Sequence, residues 1–335
     1  MELLRIIAMF LILTVHANYY SLGAPNHTDI INAPIASATR VALESVSLIC
    51  VNLFIFISGW FGITLKRHKI ANLFFQTAYF YFGIYAIALL SGHASLDLHS
   101  IKLLLLLTKH NWFIPAYILL CILAPVLNAF IDNADRKRFL TVIVGFFAIQ
   151  TWSGWLAESD TCRGGYSTIS FIGIYLLARY IRKYNIAEYF NKTKAIILFI
   201  ACIVLNTVLG LVGIYTDKFG WLYLPYINPL TIIATISFAI IFIKIKLQSN
   251  TINFIAKSAF AVFLLHSNFN LVGSFTYLNQ YIYNNYSGIT VLSLIFLACC
   301  AWFIAALILD QPRKWLWKKF EAHKWSKNIL KIQNA

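Results

Sequence analysis

The stretch MELLRIIAMFLILTVHANYY, residues 1–20, decides how the rest of the chain is read. It is an apolar run of bilayer-crossing length, interrupted by a cation, Arg5, and an imidazole, His16. At about 100° per residue, eleven residues turn a helix through three full turns and roughly 20° more, so both side chains share one face. At 1.5 Å per residue they stand about 16 Å apart along the axis. Ionisable groups are costly in lipid, so that face must turn toward protein or a water-filled cleft. The start carries little charge (Glu2 and Arg5) and no Ala-x-Ala site closes the run. It reads as a retained helix, not a cleaved secretory signal.

Runs of the same kind recur outward from this one. Candidate spans fall at about 2–20, 42–64, 70–90, 112–131, 139–157, 168–184, 195–215, 227–247, 254–271 and 288–309, an all-α polytopic chain of about ten helices. Composition agrees: 60% of the 335 residues are hydrophobic and 12% are charged, with a mean hydropathy of +0.73. A water-soluble fold with that surplus would expose very large apolar patches. With the amino terminus inside, 22 of the 27 Lys and Arg fall on the inner side, including Lys66, Arg67, Lys69 and Lys257. Arg40, Lys102, Lys109, Arg163 and Lys218 remain outside. This is the positive-inside pattern, and it puts both termini in the cytoplasm. Trp112, Trp152, Trp155 and Trp221 fall near the outer boundaries, as interfacial aromatics do. Residues 1–311 read as one membrane domain, and 312–335 as a basic amphipathic tail lying on anionic lipid.

The net charge of +15 is thereby a topology signal, which removes the case for a nucleic-acid partner. Five of the six cysteines lie within apolar runs, where they act as small hydrophobes. No Cys/His ligand spacing occurs, so neither a disulfide framework nor a metal site is expected.

Few ionisable groups sit within the spans: Arg5 and His16 on the first, Glu44 on the second and His266 on the ninth. Following each span from its predicted side brings His16, Glu44 and His266 to one approximate depth. An imidazole oriented by a carboxylate or a second imidazole is a general-base arrangement that works near neutral pH. Plainer readings stand beside these. Arg5 alone serves as a snorkelling anchor, His16 as an interhelical polar contact, Glu44 as a half-exposed boundary residue, and Trp112 as part of the interfacial belt. A second function class, a transporter or flippase, would use Arg5, His16, Glu44 and His266 as a substrate or proton pathway.

The segments carrying these residues resemble the acyltransferase-3 family of integral-membrane O-acyltransferases. Arg5-x10-His16 is similar to its Arg/Lys-x10-His signature, and CVNLFIFISGWF (50–61) to its Phe-x-x-x-Ser-Gly-Tyr/Phe helix. NWFIPAYILLCILAPVLN (111–128) and SAFAVFLLH (258–266) resemble its Trp-Phe…Pro-x-Leu-Asn segment and its late helix ending in His. CRGGYSTISFIGIYLLARYI (162–181) resembles segments of the polysaccharide-modifying members. The matches follow family order from residue 5 to 266.

The resemblance implies transfer of an acyl group, most often acetyl from cytoplasmic acetyl-CoA, to a hydroxyl of a surface saccharide or lipid-linked glycan, in a bacterial plasma (inner) membrane. It puts His16 at the catalytic histidine position and Arg5 at the motif's cation; helix geometry and the resemblance together suggest Glu44 or His266 as the group that orients His16, and Arg5 with Lys66, Arg67 and Lys69 as the donor-binding cations. Trp112 and Arg163 then bound the acceptor cleft. One departure stands out. Where members often carry Arg-x-x-Arg after the second helix, this chain has Lys66-Arg67-His68-Lys69, which keeps the charge and loses one guanidinium fork. Membrane lipids are implied partners. A homo-oligomer is left open, as are the acceptor, the acyl group and direct transfer against a covalent intermediate.

Overall fold

A computed structural model describes residues 1–108, 111–160, 162–218 and 225–322, with the side chains of Arg163 and Ala322 outside that set. Lys109, Trp221 and the tail beyond 322 therefore lie outside the described residues. Among those described there is no strand; the chain is helix joined by turns. The helices are α1 (Glu2–Val15), α2 (His27–Asn32), α3 (Pro34–Ser47), α4 (Ile49–Phe61), α5 (Arg67–Leu90), α6 (Leu98–Leu104), α7 (Phe113–Asn133), α8 (Arg136–Ile149), α9 (Thr168–Lys183), α10 (Lys192–Thr216), α11 (Pro229–Ile243), α12 (Asn250–Ala256), α13 (Ala259–His266), α14 (Val272–Asn285) and α15 (Gly288–Ala322).

Local sequence sets many of the boundaries. Asp135, Ser167, Asn191, Asn228 and Ser249 each cap the helix that follows by accepting a backbone N–H, which satisfies donors that a helix start leaves orphaned. Gly62, at φ +77°, ends α4 in a conformation that side chains disfavour.

Among the described residues, seven helical stretches are long and apolar enough to cross a membrane: Glu2–Tyr20, Pro34–Phe61, Arg67–Leu90, Phe113–Asn133, Arg136–Leu156, Lys192–Thr216 and Gly288–Glu321. The chain is thus an all-α, multi-pass protein. Three sequence-derived spans are not among these seven. Those at 168–184 and 227–247 correspond to α9, of 16 residues, and α11, of 15. The span expected at 254–271 is no single helix. It breaks at Lys257 and Ser258 into α12 and α13 and ends at His266. Such pieces persist because protein, not lipid, surrounds them; α13 is buried along most of its length. The second span also begins earlier than 42, at Pro34, and passes through a joint at Leu48. The last helix runs on through Pro312, so the 311/312 boundary falls inside it.

α1 is the central column, packed by α3, α4, α12, α13 and α15. Leu4, Ala8, Leu13 and Ala17 are fully buried. α4 crosses α9 at very short range. A Cβ built on Gly59 would lie 2.8 Å from the Tyr175 carbonyl oxygen and 2.8 Å from Ala178 Cβ. Small residues permit such close helix approach where no hydrophobic effect drives association. Gly59→Ala is expected to cost about 1–3 kcal/mol through overpacking. Gly83→Ala, at a helix position with nothing within 4 Å, should cost nothing. Thermal unfolding of the detergent-solubilised variants checks the pair.

Candidate active site

A cavity of about 1000 Å³ runs along the face of α1 that the sequence singles out. Arg5, Met9, Ile12 and His16 all line it, at helical spacing. Opposite them stand residues of α4 (Val51, Phe54, Ser58), of α5 (Lys69, Asn72, Gln76) and of α7 (Phe113, Tyr117, Cys121). The volume sits at the upper end of that typical of ligand and cofactor sites.

His16 occupies a particular backbone position. α1 ends at Val15, and residues His16–Tyr20 continue as a π-helix, a wide turn frequent at functional sites. The turn is secured from several directions. Ser21 Oγ donates to the His16 carbonyl at 2.6 Å. Asn18 Nδ2 donates to Glu44 Oε2 and to the Arg40 carbonyl, both at 2.9 Å. Arg40 Nε returns a bond to Asn18 Oδ1 at 3.2 Å, and its guanidinium also donates to the Gly23 carbonyl.

The imidazole is fixed by His266. His266 is wholly buried, and its Nδ1 lies 2.6 Å from the Val262 carbonyl oxygen. A carbonyl only accepts, so Nδ1 carries the proton and Nε2 the lone pair. That Nε2 lies 2.8 Å from His16 Nδ1, so His16 donates there. The proton is thereby assigned to Nδ1 of His16, and the basic lone pair to its Nε2. A carbonyl, a buried imidazole and a cavity-lining imidazole form one directional chain. Each member sets the tautomer of the next.

Of the other expected site residues, Arg5, Glu44, Lys69 and Trp112 line the same cavity. Glu44 is 4% exposed, not half exposed, and lines the wall. The group on His16 Nδ1 is the imidazole of His266, while the Glu44 carboxylate is held by Asn18. At the other end of α1, Arg5 lines the wall with its guanidinium 2.5 Å from Glu2. Lys69 reaches the wall, whereas Lys66 and Arg67 are exposed at the start of α5. Trp112 lines the end near His16, with its ring edge-on to Tyr166 at 4.7 Å. Arg163 opens a single helical turn, Arg163–Gly165; its side chain lies outside the described residues.

Sequence reasoning missed several members. Asn18 was visible as a polar residue two positions beyond His16 and was not used. Lys257 counted only as a topology charge, yet it lines the cavity at the break between α12 and α13. Tyr166 and Tyr226 complete an aromatic cluster with Trp112, their rings 5.0 Å apart. The glycines of CRGGY explain that cluster. Gly165, at φ +101°, approaches so closely that an added Cβ would lie 2.6 Å from Tyr226 Cβ. The Gly164 carbonyl accepts from Tyr226 N at 2.9 Å, and Asn52 on α4 pins the Tyr226 carbonyl at 2.8 Å.

The family model for Acyl_transf_3, an acyltransferase domain, matches residues 1–310. The chain belongs to the acyltransferase-3 family. No curated protein and no solved structure matches it. It is therefore a membrane acyltransferase. The family-like segments, scattered through its sequence, all contribute to one cavity: Arg5 and His16 from the first, Ser58 from the second, Trp112 and Tyr117 from the third, Tyr166 from the fourth. His266, at the end of the last, lies directly behind the wall on His16.

His266→Phe preserves a buried ring and removes the acceptor for His16 Nδ1–H. Leaving a buried donor unpaired costs about 1–3 kcal/mol. Acyl transfer by this acyltransferase-3 member is expected to fall roughly tenfold or more, measured as turnover of the purified, folded variant.

Proposed function

We propose that this acyltransferase-3 protein moves an acetyl group from cytoplasmic acetyl-CoA to a hydroxyl of a cell-surface or lipid-linked saccharide. The observation that carries the reading is the composition of a single continuous cavity. Arg5 and His16 line it at the two ends of one helix face; Lys69 and Lys257 add cations to the lining, and Glu44, Trp112, Tyr166 and Tyr226 add a carboxylate and rings. Cations suit the phosphates of a nucleotide-linked donor. A wall of aromatic rings with a carboxylate suits a polyhydroxyl ring, through stacking and hydrogen bonds. The axial rise of about 16 Å from Arg5 to His16 gives an extended thioester arm room to run between them.

In this reading the chain crosses a bacterial inner membrane ten times with both termini inside. The shorter α9 and α11 and the broken pair α12–α13 are crossings sheltered by neighbouring helices. The cation-rich end then opens to the cytoplasm and the aromatic end to the outer side. His16 Nε2 takes the proton of the acceptor hydroxyl as its oxygen attacks the thioester carbonyl. The C–S bond breaks, and the imidazolium returns the proton to the departing thiolate. His266 Nε2 accepts from His16 Nδ1–H throughout, which favours the imidazolium while it exists. Glu44 and Trp112 bind acceptor, with Arg163 at the rim. Lys66 and Arg67 add positive charge near the donor mouth.

A positioned general base contributes about 10²–10⁴-fold, so His16→Ala should lower transfer from radiolabelled acetyl-CoA by that factor in a folded protein. Unchanged transfer would end the assignment. Arg5→Ala is expected to weaken acetyl-CoA binding more than it slows the bound complex. Solute flux in proteoliposomes, with no binding of acetyl-CoA, would place the chain among transporters instead. The topology has its own check. A cysteine added at residue 2 or 330 should resist impermeant thiol reagents in intact cells, and one at residue 25 should react.

A further inference from the structure

Helix α15 carries charge into the protein where its apolar stretch ends. Asp310 is wholly buried and Arg313 is 3% exposed. Arg313 donates through Nε and Nη2 to Asp310 Oδ1, both at 2.8 Å, and Lys314 Nζ lies 3.3 Å from Oδ2. Two cations thus face one carboxylate. Withdrawing such groups from water costs several kcal/mol per ion, and a simple helix anchor would need no more than the pair.

The remaining bonds of the cluster reach the cavity wall. Arg313 Nη1 donates to Asn72 Oδ1 at 3.0 Å, and Gln76 Nε2 donates to Asp310 Oδ1 at 3.3 Å. Asn72 and Gln76 both line the cavity, on the same stripe of α5 as Lys69. On the opposite side, Lys314 Nζ donates to Ser258 Oγ at 2.5 Å. Ser258 follows Lys257 at the break between α12 and α13. One buried cluster therefore grips both walls of the cation-lined end of the cavity. The link to Ser258 also steadies the start of α13, the eight-residue helix that ends in His266.

We propose that Asp310, Arg313 and Lys314 are positioning residues for the acyl donor. They hold the Lys69–Asn72–Gln76 stripe and Lys257 at the separation that receives a phosphorylated donor, and their surplus positive charge adds to the field there. This rests on the reading of acetyl-CoA as donor. None of the three is needed to touch the reacting atoms; they act through Asn72, Gln76 and Ser258.

Binding of radiolabelled acetyl-CoA to the full chain in nanodiscs tests this, with apoprotein melting temperature measured alongside. Arg313→Lys keeps the charge but cannot hold Asp310 and Asn72 with one planar fork; losing a charge-assisted bond predicts about tenfold weaker binding. Asn72→Ala leaves the ion cluster whole and should weaken binding several-fold. Because Arg313 acts through Asn72, the double variant should bind no more weakly than Arg313→Lys alone, within about a factor of two. A lowered melting temperature with unchanged affinity in Arg313→Lys, or fully additive losses, would overturn the proposal and leave the donor reading intact. If Arg313→Lys does not fold, unchanged affinity in Asn72→Ala overturns it equally. Absence of acetyl-CoA binding by the unmodified chain would overturn the donor reading itself, and this proposal with it.

Discussion

A helix in lipid must hide its ionisable groups, and α1 hides Arg5 and His16 by lining a cavity with them. Much of the surrounding structure follows from that constraint. α4, α5 and α7 supply the far wall, and the buried residues of α13 close the space behind the imidazole. The cavity is not a fault in packing that the bilayer tolerates. The helices that wall it are themselves packed through fully buried side chains such as Leu4, Leu13 and Leu53, so the hollow is framed by close-packed surroundings.

Within that frame, His16 is held to a degree that a surface loop would not provide. Its carbonyl receives a hydroxyl, its Nδ1–H meets a buried acceptor, and the next turn is tied to α3 through Asn18. A site built on helices with locked neighbours keeps its geometry within the tolerance chemistry needs. The His266 imidazole would, in the proposed reaction, take the part that a carboxylate plays in many hydrolases, with one difference. A neutral imidazole orients its partner without placing a second full charge in an apolar interior.

The sequence was legible where physics acts locally. Spans, the inward face of α1 and the shared depth of His16, Glu44 and His266 follow from hydropathy and from 100° per residue; of the three, His16 and His266 touch, while Glu44 lines the same cavity as His16 and is held by Asn18. What it hid is lateral. Lys257 and Ser258 stand in 254–271 as two polar letters in an apolar run, and what they do there, with Lys314 of another helix donating to the Ser258 hydroxyl, depends on a contact between distant positions. Likewise the pairing of Arg313 with Asn72 joins residues 241 positions apart, and the positive charge of 312–322 read naturally as a tail on lipid. Gly59 and Gly165 stood in the family-like segments as bare letters. Their reason, a backbone carbonyl or a neighbouring Cβ under 3 Å from where a side chain would begin, exists only in three dimensions.

The two ends of the cavity also differ in how they are stiffened, and the difference fits their chemistry. Near His16 the wall is rings and short neutral bonds: Trp112 against Tyr166, Tyr166 against Tyr226, Asn52 to the Tyr226 carbonyl. Such contacts define shape, which selects a bulky partner by fit. Near Arg5 the wall is backed by ions, Asp310 with Arg313 and Lys314, whose influence extends farther in a low-dielectric interior than it would in water. A flexible, multiply charged ligand is gathered by field before it is fitted by contact. One helix face spans both regimes, and under the proposed function a group drawn in by charge at Arg5 would reach the imidazole of His16 along it.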